Sequence, residues 1–183
     1  MRISVKNMVC DRCILAVSRV CADLAIPVRE VSLGIIETAG ELKDAEKNAL
    51  ETQLNALGFE IINDRETEMV EHVKLALIDM ARRDEPSTLK LSAELSERLG
   101  ADYQTLSRVF SEREGRTVEN YFIAQKIERV KELIAYGQQT LSEIAYRCSY
   151  SSVAHLSRQF RQVTGMIPTK FASSLKRTPL DKL

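Results

Sequence analysis

Two sets of residues in this 183-residue chain have the types and spacing to do chemistry. The first is Cys10 and Cys13, a Cys-x-x-Cys within Asn7-Met-Val-Cys-Asp-Arg-Cys. Two soft thiolates at that spacing suit Cu(I), Zn(II) or Hg(II). The competing readings are a thiol redox or alkylation sensor, and a fold that kept the pair and lost the ligand. Cys13 is predicted in the first turn of a helix, where free N–H groups and the helix dipole favour thiolate and Arg12 adds positive charge. Cys21 lies two turns further on and Cys148 at an apolar helix position, so both are predicted core residues. The second set is a repeat. Leu106-Ser-Arg-Val-Phe-Ser-Glu-Arg-Glu-Gly and Leu156-Ser-Arg-Gln-Phe-Arg-Gln-Val-Thr-Gly share Leu, Ser, Arg, Phe and Gly at the same places. At 100° per residue, Gln104, Arg108 and Ser111 lie opposite Leu106, and Ala154, Arg158 and Arg161 lie opposite Leu156. An apolar back with an arginine at the middle of the front is what a helix needs to enter the DNA major groove. There the guanidinium reaches guanine O6 and N7, or phosphate. The two histidines, His72 and His155, have no paired nucleophile in the sequence, and an enzyme is not expected.

The elements that must carry these residues fall into two series. Ile3 and Val5 alternate with polar neighbours, Ile14, Val17, Val20, Cys21 and Leu24 recur at helical spacing, and Val28 to Thr38 reads as a hairpin about Gly34. A second helix over Ala45 to Leu57, stopped by Gly58, leads to a strand from Phe59. This βαββαβ order predicts an α+β ferredoxin-like sandwich over residues 1–64, with the thiol pair between first strand and first helix. From Glu66 on only helices are predicted. A connecting helix fills 65–84, the Asp-Glu-Pro-Ser stretch at 84–87 is the clearest break, and an all-α domain spans 85–175, followed by a basic tail at 176–183. Asp102, Thr117 and Thr140 are predicted N-caps, the last in a capping box with Glu143, and Ser151 or Ser152 opens the helix carrying Val153, Leu156, Phe160 and Val163 inward. The repeating unit is therefore helix, turn, helix, the second turn one residue longer than the first, joined by a helix of roughly 30 Å. That length is close to the ~34 Å between successive major-groove faces.

Composition excludes several classes. At 44% hydrophobic and 28% charged the chain is globular, and four cysteines are too few for a disulfide-stapled secreted scaffold. No signal-peptide or membrane-length apolar run is present, which leads us to expect a reduced, cytoplasmic protein with no membrane partner. Lys+Arg and Asp+Glu tie at 26, which at face value opposes a polyanion ligand. The tie conceals a division. Residues 1–64 hold 7 basic and 10 acidic side chains, whereas 85–183 hold 15 and 11, and 146–183 alone hold 7 basic against Asp181.

The span from about Glu66 to Ser174 resembles the DNA-binding domain of AraC/XylS-type transcription regulators. The resemblance is carried by Leu-Gly at 99–100, Leu-Ser-Arg-x-Phe twice, Ile-Glu-Arg-Val-Lys-Glu-Leu-Ile at 127–134, Leu-Ser-Glu-Ile-Ala at 141–145 and Thr-Gly-x-x-Pro at 164–168. It implies a double-stranded operator and RNA polymerase as partners, and activation as the mode. It also implies DNA-facing roles for Gln104, Thr105, Ser107 and Arg108 of the first recognition helix and Ala154, His155 and Arg158 of the second, to which Ser111, Ser151 and Arg161 are added as neighbours on the same faces. Ser149 stands where that family usually has Gly. Residues 1 to about 63 resemble a heavy-metal-associated domain, on the Met-x-Cys-x-x-Cys and the Gly58-Phe59 before the last strand, although Asn7 and Val9 replace the usual Gly and small hydroxyl residue. The resemblance implies a metal site at Cys10 and Cys13. The expected function is a DNA-binding regulator whose first module senses a soft metal or thiol-reactive signal. The alternatives are a metal-trafficking or thiol-exchange protein, or a regulator whose first module only dimerises or docks partners.

Overall fold

A computed structural model describes residues 1–83 and 89–174; the expected break at 84–87 and the basic tail at 176–183 lie outside the described residues. The chain runs β1 (Arg2–Lys6), α1 (Asp11–Asp23), β2 (Val28–Ser32), β3 (Ile35–Thr38), α2 (Asp44–Ala56) and β4 (Glu60–Ile62). Helices α3 (Arg65–Arg82), α4 (Leu91–Leu99), α5 (Tyr103–Glu114), α6 (Val118–Tyr136), α7 (Leu141–Arg147), α8 (Val153–Thr164) and α9 (Pro168–Ser174) follow. A small antiparallel sheet thus precedes a helical region. Among the described residues no helix is long and apolar enough to cross a membrane.

Two compact units divide the chain, one of residues 1–76 with 95–116 and the other of 77–94 with 117–183. In the first, the strands lie in the order β2-β3-β1-β4, with Ile3 opposite Ile36 and Val5 opposite Ile61. Alternation along β1 sends Ile3 and Val5 to one face, where Val17, Cys21, Leu50 and Leu54 from α1 and α2 close a core. Buried completely, each such leucine contributes roughly 1.5–3 kcal/mol. Ser4 on the other face is also buried, and its hydroxyl donates to Glu68 of α3 at 2.5 Å. Further along α3, Lys74 bridges Glu71 at 2.8 Å and Glu114 of α5 at 2.6 Å, and Arg113 pairs with Glu66 at 2.6 Å. The start of α3 is therefore tied to the sheet and to the end of α5.

In the second unit, Ile127, Val130 and Leu133 of α6 pack with Ile144 and Ala145 of α7 and Leu156 and Phe160 of α8. Helix limits follow the expected caps. Asp102, Thr117, Thr140 and Ser152 each accept a backbone N–H of the first turn, Thr140 within a capping box, and Gly115, Gly137 and Gly165 end their helices in the left-handed conformation. Val163 differs from expectation. It is 44% exposed, because the chain turns at Gly165 and the core at that end is completed by Phe171 of α9, whose ring lies 5.6 Å from that of Phe160.

Gly34, between β2 and β3, has φ +77°, and a Cβ there would lie 2.9 Å from Leu75 Cδ1. Gly34→Ala should cost about 1–2 kcal/mol, the penalty of a left-handed non-glycine residue. Urea unfolding monitored by circular dichroism measures this, and an unchanged midpoint contradicts it.

Candidate nucleic-acid interface and thiol pair

The two helix-turn-helix pairs are built on one backbone device. Gly100 after α4 has φ 61°, and the next N–H, of Ala101, returns to the Ser96 carbonyl at 3.3 Å. After α7, Ser149 has φ 56° and the N–H of Tyr150 returns to the Ala145 carbonyl at 2.8 Å. Each turn is thus a six-to-one closure about one left-handed residue, and Ser149 adopts the conformation for which the first turn uses glycine. From that residue the recognition helix starts three positions on at Tyr103 and four positions on at Val153, so the second turn is one residue longer.

On α5, Gln104, Thr105 and Arg108 are exposed, while Ser107 and Ser111 are half-buried. Leu106, Val109 and Phe110 form the buried back. Asp102 receives the Thr105 N–H at 3.1 Å and its hydroxyl at 3.5 Å, so Thr105 is held by the cap. Arg108 donates to both carboxylate oxygens of Glu112, at 2.9 and 3.2 Å. Both side chains are more than half exposed, and such a pair is worth about 0–1 kcal/mol, which a phosphate or a guanine edge can outcompete.

On α8, Ala154, Arg158 and Arg161 are exposed and His155 is half-buried. Neither Arg158 nor Arg161 forms an ion pair among the described residues. Ser151, exposed and one residue ahead of the Ser152 cap, places its hydroxyl 3.1 Å from His155 Nδ1. The imidazole also stands edge-on to the Tyr150 ring, centroids 5.3 Å apart. His155 is therefore engaged at the start of the helix. Sequence reasoning missed Lys126 of α6, whose Nζ donates to the Ser149 carbonyl at 3.3 Å and lies 4.0 Å from the Tyr150 ring centroid. The only sign in the sequence was a lysine amid the apolar spacing of Phe122, Ile127 and Val130.

Cys10 is the N-cap of α1 and Cys13 lies in its first turn, with the two Sγ atoms 3.5 Å apart. The Cys10 thiol is held below the ordinary thiol range, first by the Cys13 backbone N–H and then by the Cys13 side chain, with Arg12 adding a smaller push. Asn7, in the loop before them, has φ 72° and its amide donates to the Gly58 carbonyl at 2.9 Å. Met8 is buried beneath the loop and Cys21 and Cys148 lie in cores, where burial pushes the Cys21 thiol up. No group of three or more His, Cys, Asp or Glu side chains is poised for a metal among the described residues.

Residues 95–174 match a family model described as a helix-turn-helix domain. A probable transcriptional regulator, LumQ, of Photobacterium leiognathi is 30% identical over 102 residues, which are 56% of this chain and 41% of that protein. An uncharacterized helix-turn-helix-type transcriptional regulator of Staphylococcus aureus is 30% identical over 79 residues, 43% of this chain and 11% of its own length. The chain thus spans less than half the length of these curated relatives. Among solved structures, the C-terminal domain of AraT, a response regulator from Geobacillus stearothermophilus, has a TM-score of 0.54 at 20% identity over 64% of this chain and 93% of that one. A transcriptional regulator from Chromobacterium violaceum, described as having an AraC-type DNA-binding domain, has a TM-score of 0.50 at 20% identity over 61% and 94%. The helical region accordingly contains a helix-turn-helix domain with the fold of AraC-type DNA-binding domains.

Two measurements check this geometry. Iodoacetamide alkylation of Cys10, followed against pH by peptide mass, should have its midpoint below that of an unstructured cysteine peptide, because a lowered pKa keeps the thiolate populated at lower pH. Equal midpoints contradict the arrangement at the N-cap. Arg158→Ala and Arg161→Ala should each reduce the slope of log affinity against log salt by about 1 on any duplex. A slope unchanged in both removes them from the interface.

Proposed function

We propose that the chain is a sequence-specific DNA-binding transcription regulator of AraC/XylS type, an activator that works with RNA polymerase in the cytoplasm. The observation that carries it is the duplicated helix pair, each half offering a capped helix with an apolar back and an arginine at the middle of its exposed front. In this reading residues 85–175 read the operator, through Gln104, Thr105, Ser107, Arg108 and Ser111 of α5 and Ser151, Ala154, His155, Arg158 and Arg161 of α8. With so little hydrogen-bonding capacity at Ala154, the second helix contributes chiefly through its arginines, to phosphate and guanine alike.

Residues 1–64 serve as a ferredoxin-like, heavy-metal-associated module, with residues 65–84 as its connector. The strand order β2-β3-β1-β4 with α1 and α2 on one core supports that fold. Two thiols 3.5 Å apart, exposed or half-buried at a helix start, fit a two-coordinate soft cation such as Cu(I) or Hg(II). Tetrahedral Zn(II) needs two further ligands. Cys10 and Cys13 would hold such a cation as thiolates at the start of α1. Glu68 on Ser4 and Lys74 on Glu114 connect the sheet to α5 through α3. A ligand moves the affinity for DNA only by its own differential affinity for the two states of that connection.

Selection from random duplexes by the full chain, with Cu(I), with Zn(II) and with chelator, tests both parts. A single enriched motif is expected, and Arg108→Ala should weaken binding to it by about 1–3 kcal/mol and relax the preference at one base pair. Replacing Cys10 and Cys13 by Ser should abolish stoichiometric Cu(I) binding and any metal dependence of the selection. No enrichment under any condition sinks the regulator; full metal binding by the double serine variant sinks the site.

A further inference from the structure

Lys126 is a half-buried lysine on a helix face otherwise used for packing. Its surroundings are the Phe122 ring at 5.8 Å, the Tyr150 ring at 4.0 Å and the carbonyl of Ser149 at 3.3 Å. Burial pushes its ammonium down to about 8, only partly opposed by the nearby Cys148 thiol. An apolar side chain of similar length would fill this place without that desolvation cost. What the ammonium supplies in return is a hydrogen bond and a cation–π contact, both made to the turn between α7 and α8.

That turn is under a strain the first one lacks. Ser149 sits at φ 56° where the first turn has Gly100 at φ 61°, and a left-handed non-glycine residue costs about 1–2 kcal/mol. Something must hold it. Its own N–H bonds to the Tyr146 carbonyl at 2.9 Å, and its carbonyl receives Lys126. Tyr150 is 6% exposed and its ring is gripped between Lys126 and His155 of α8, while its hydroxyl is buried with no hydrogen-bond partner among the described residues. The ring, and not the hydroxyl, is what the turn uses. His155 in turn bonds Ser151. A continuous run of contacts thus leads from α6 through the strained turn into the first turn of the second recognition helix.

We infer that Lys126 is a positioning residue for α8, holding the Ser149 carbonyl and the Tyr150 ring so that the left-handed turn sets where and at what angle the helix begins. The inference rests on the DNA-binding reading above for its functional meaning. Lys126 touches no base in this scheme. It acts through Ser149, Tyr150 and His155, and its loss should blur what α8 reads while leaving α5 alone.

The test uses the full chain and four variants: Lys126→Met, Lys126→Arg, Ser149→Gly and Lys126→Met with Ser149→Gly. Amide hydrogen exchange at Tyr150 and over residues 152–156 reports the turn, and selection followed by titration of the selected duplex reports reading. Lys126→Met should speed exchange at Tyr150 and weaken specific binding about tenfold, the equivalent of ~1.4 kcal/mol. Base preference should flatten at the α8 half of the motif only. Lys126→Arg should keep the preference. Ser149→Gly, by removing the left-handed strain, should restore the Lys126→Met protein to within about threefold of the parent, a rescue that a direct phosphate contact of Lys126 would not show. Unchanged exchange and preference in Lys126→Met overturn the inference, as does equal weakening across the motif without rescue by Ser149→Gly. If the parent protein enriches no motif, the regulator reading has failed, and exchange at Tyr150 alone then decides whether Lys126 holds the turn.

Discussion

Each recognition helix of this protein depends on a single residue held at positive φ. The six-to-one hydrogen bond that closes the turn can form only if the chain reverses within one residue, and for L-residues that means the left-handed well. Gly100 enters it without cost, whereas Ser149 does so against its own Cβ. Once the turn is closed, the caps at Asp102 and Ser152 set the first helical residue. The apolar backs at Leu106 and Leu156 then set the rotation, so that Arg108 and Arg158 project forward. Remove the reversal and the arginines have no defined front to occupy.

Electrostatics divide between the two helices unevenly. On α5 the charges are largely spent inside the protein, with Arg113 on Glu66, Glu114 on Lys74 and Arg108 resting on Glu112. On α8 the arginines have no such internal claims among the described residues. The zero net charge of the chain is therefore a poor guide to its surface, because it sums an acidic thiol-bearing region with a basic second helix-turn-helix. In the proposed DNA-binding reading, long-range attraction to a phosphate backbone falls mainly to the second helix pair, and geometry-dependent contact to the first.

Much of this was legible in the sequence because local chemistry dictates it. Caps at Asp102, Thr117 and Thr140, and glycines at 115, 137 and 165, mark helix ends within a residue, and the Leu-Ser-Arg-x-Phe repeat gives the rotation of both recognition helices. The order of strands and helices along residues 1–62 followed from alternation and turn signals. What escaped notice depended on distant packing. Val163 has the right spacing for the core, but α9 closes that end before it. Lys126 reads as a surface lysine until the Tyr150 ring is found beneath it. The N-cap position of Cys10, where its thiol is held below the ordinary range, rests on where the first N–H groups point and not on spacing alone. That residues 95–116 cluster with the sheet, and 77–94 with the later helices, has no periodicity to announce it.

That last arrangement has a consequence for how the chain comes to be folded. The two compact units are interleaved along the polypeptide, each made of two segments with a segment of the other lying between them or beside them. During synthesis the sheet can form from local contacts as soon as β4 has emerged, yet its unit is incomplete until residue 116 is made. The second segment of the other unit, 117–183, is made only after that. Nor can any single cut between residues 76 and 117 release one unit whole from the other. Separation in evolution, as in the laboratory, would require the chain to be rejoined in a different order.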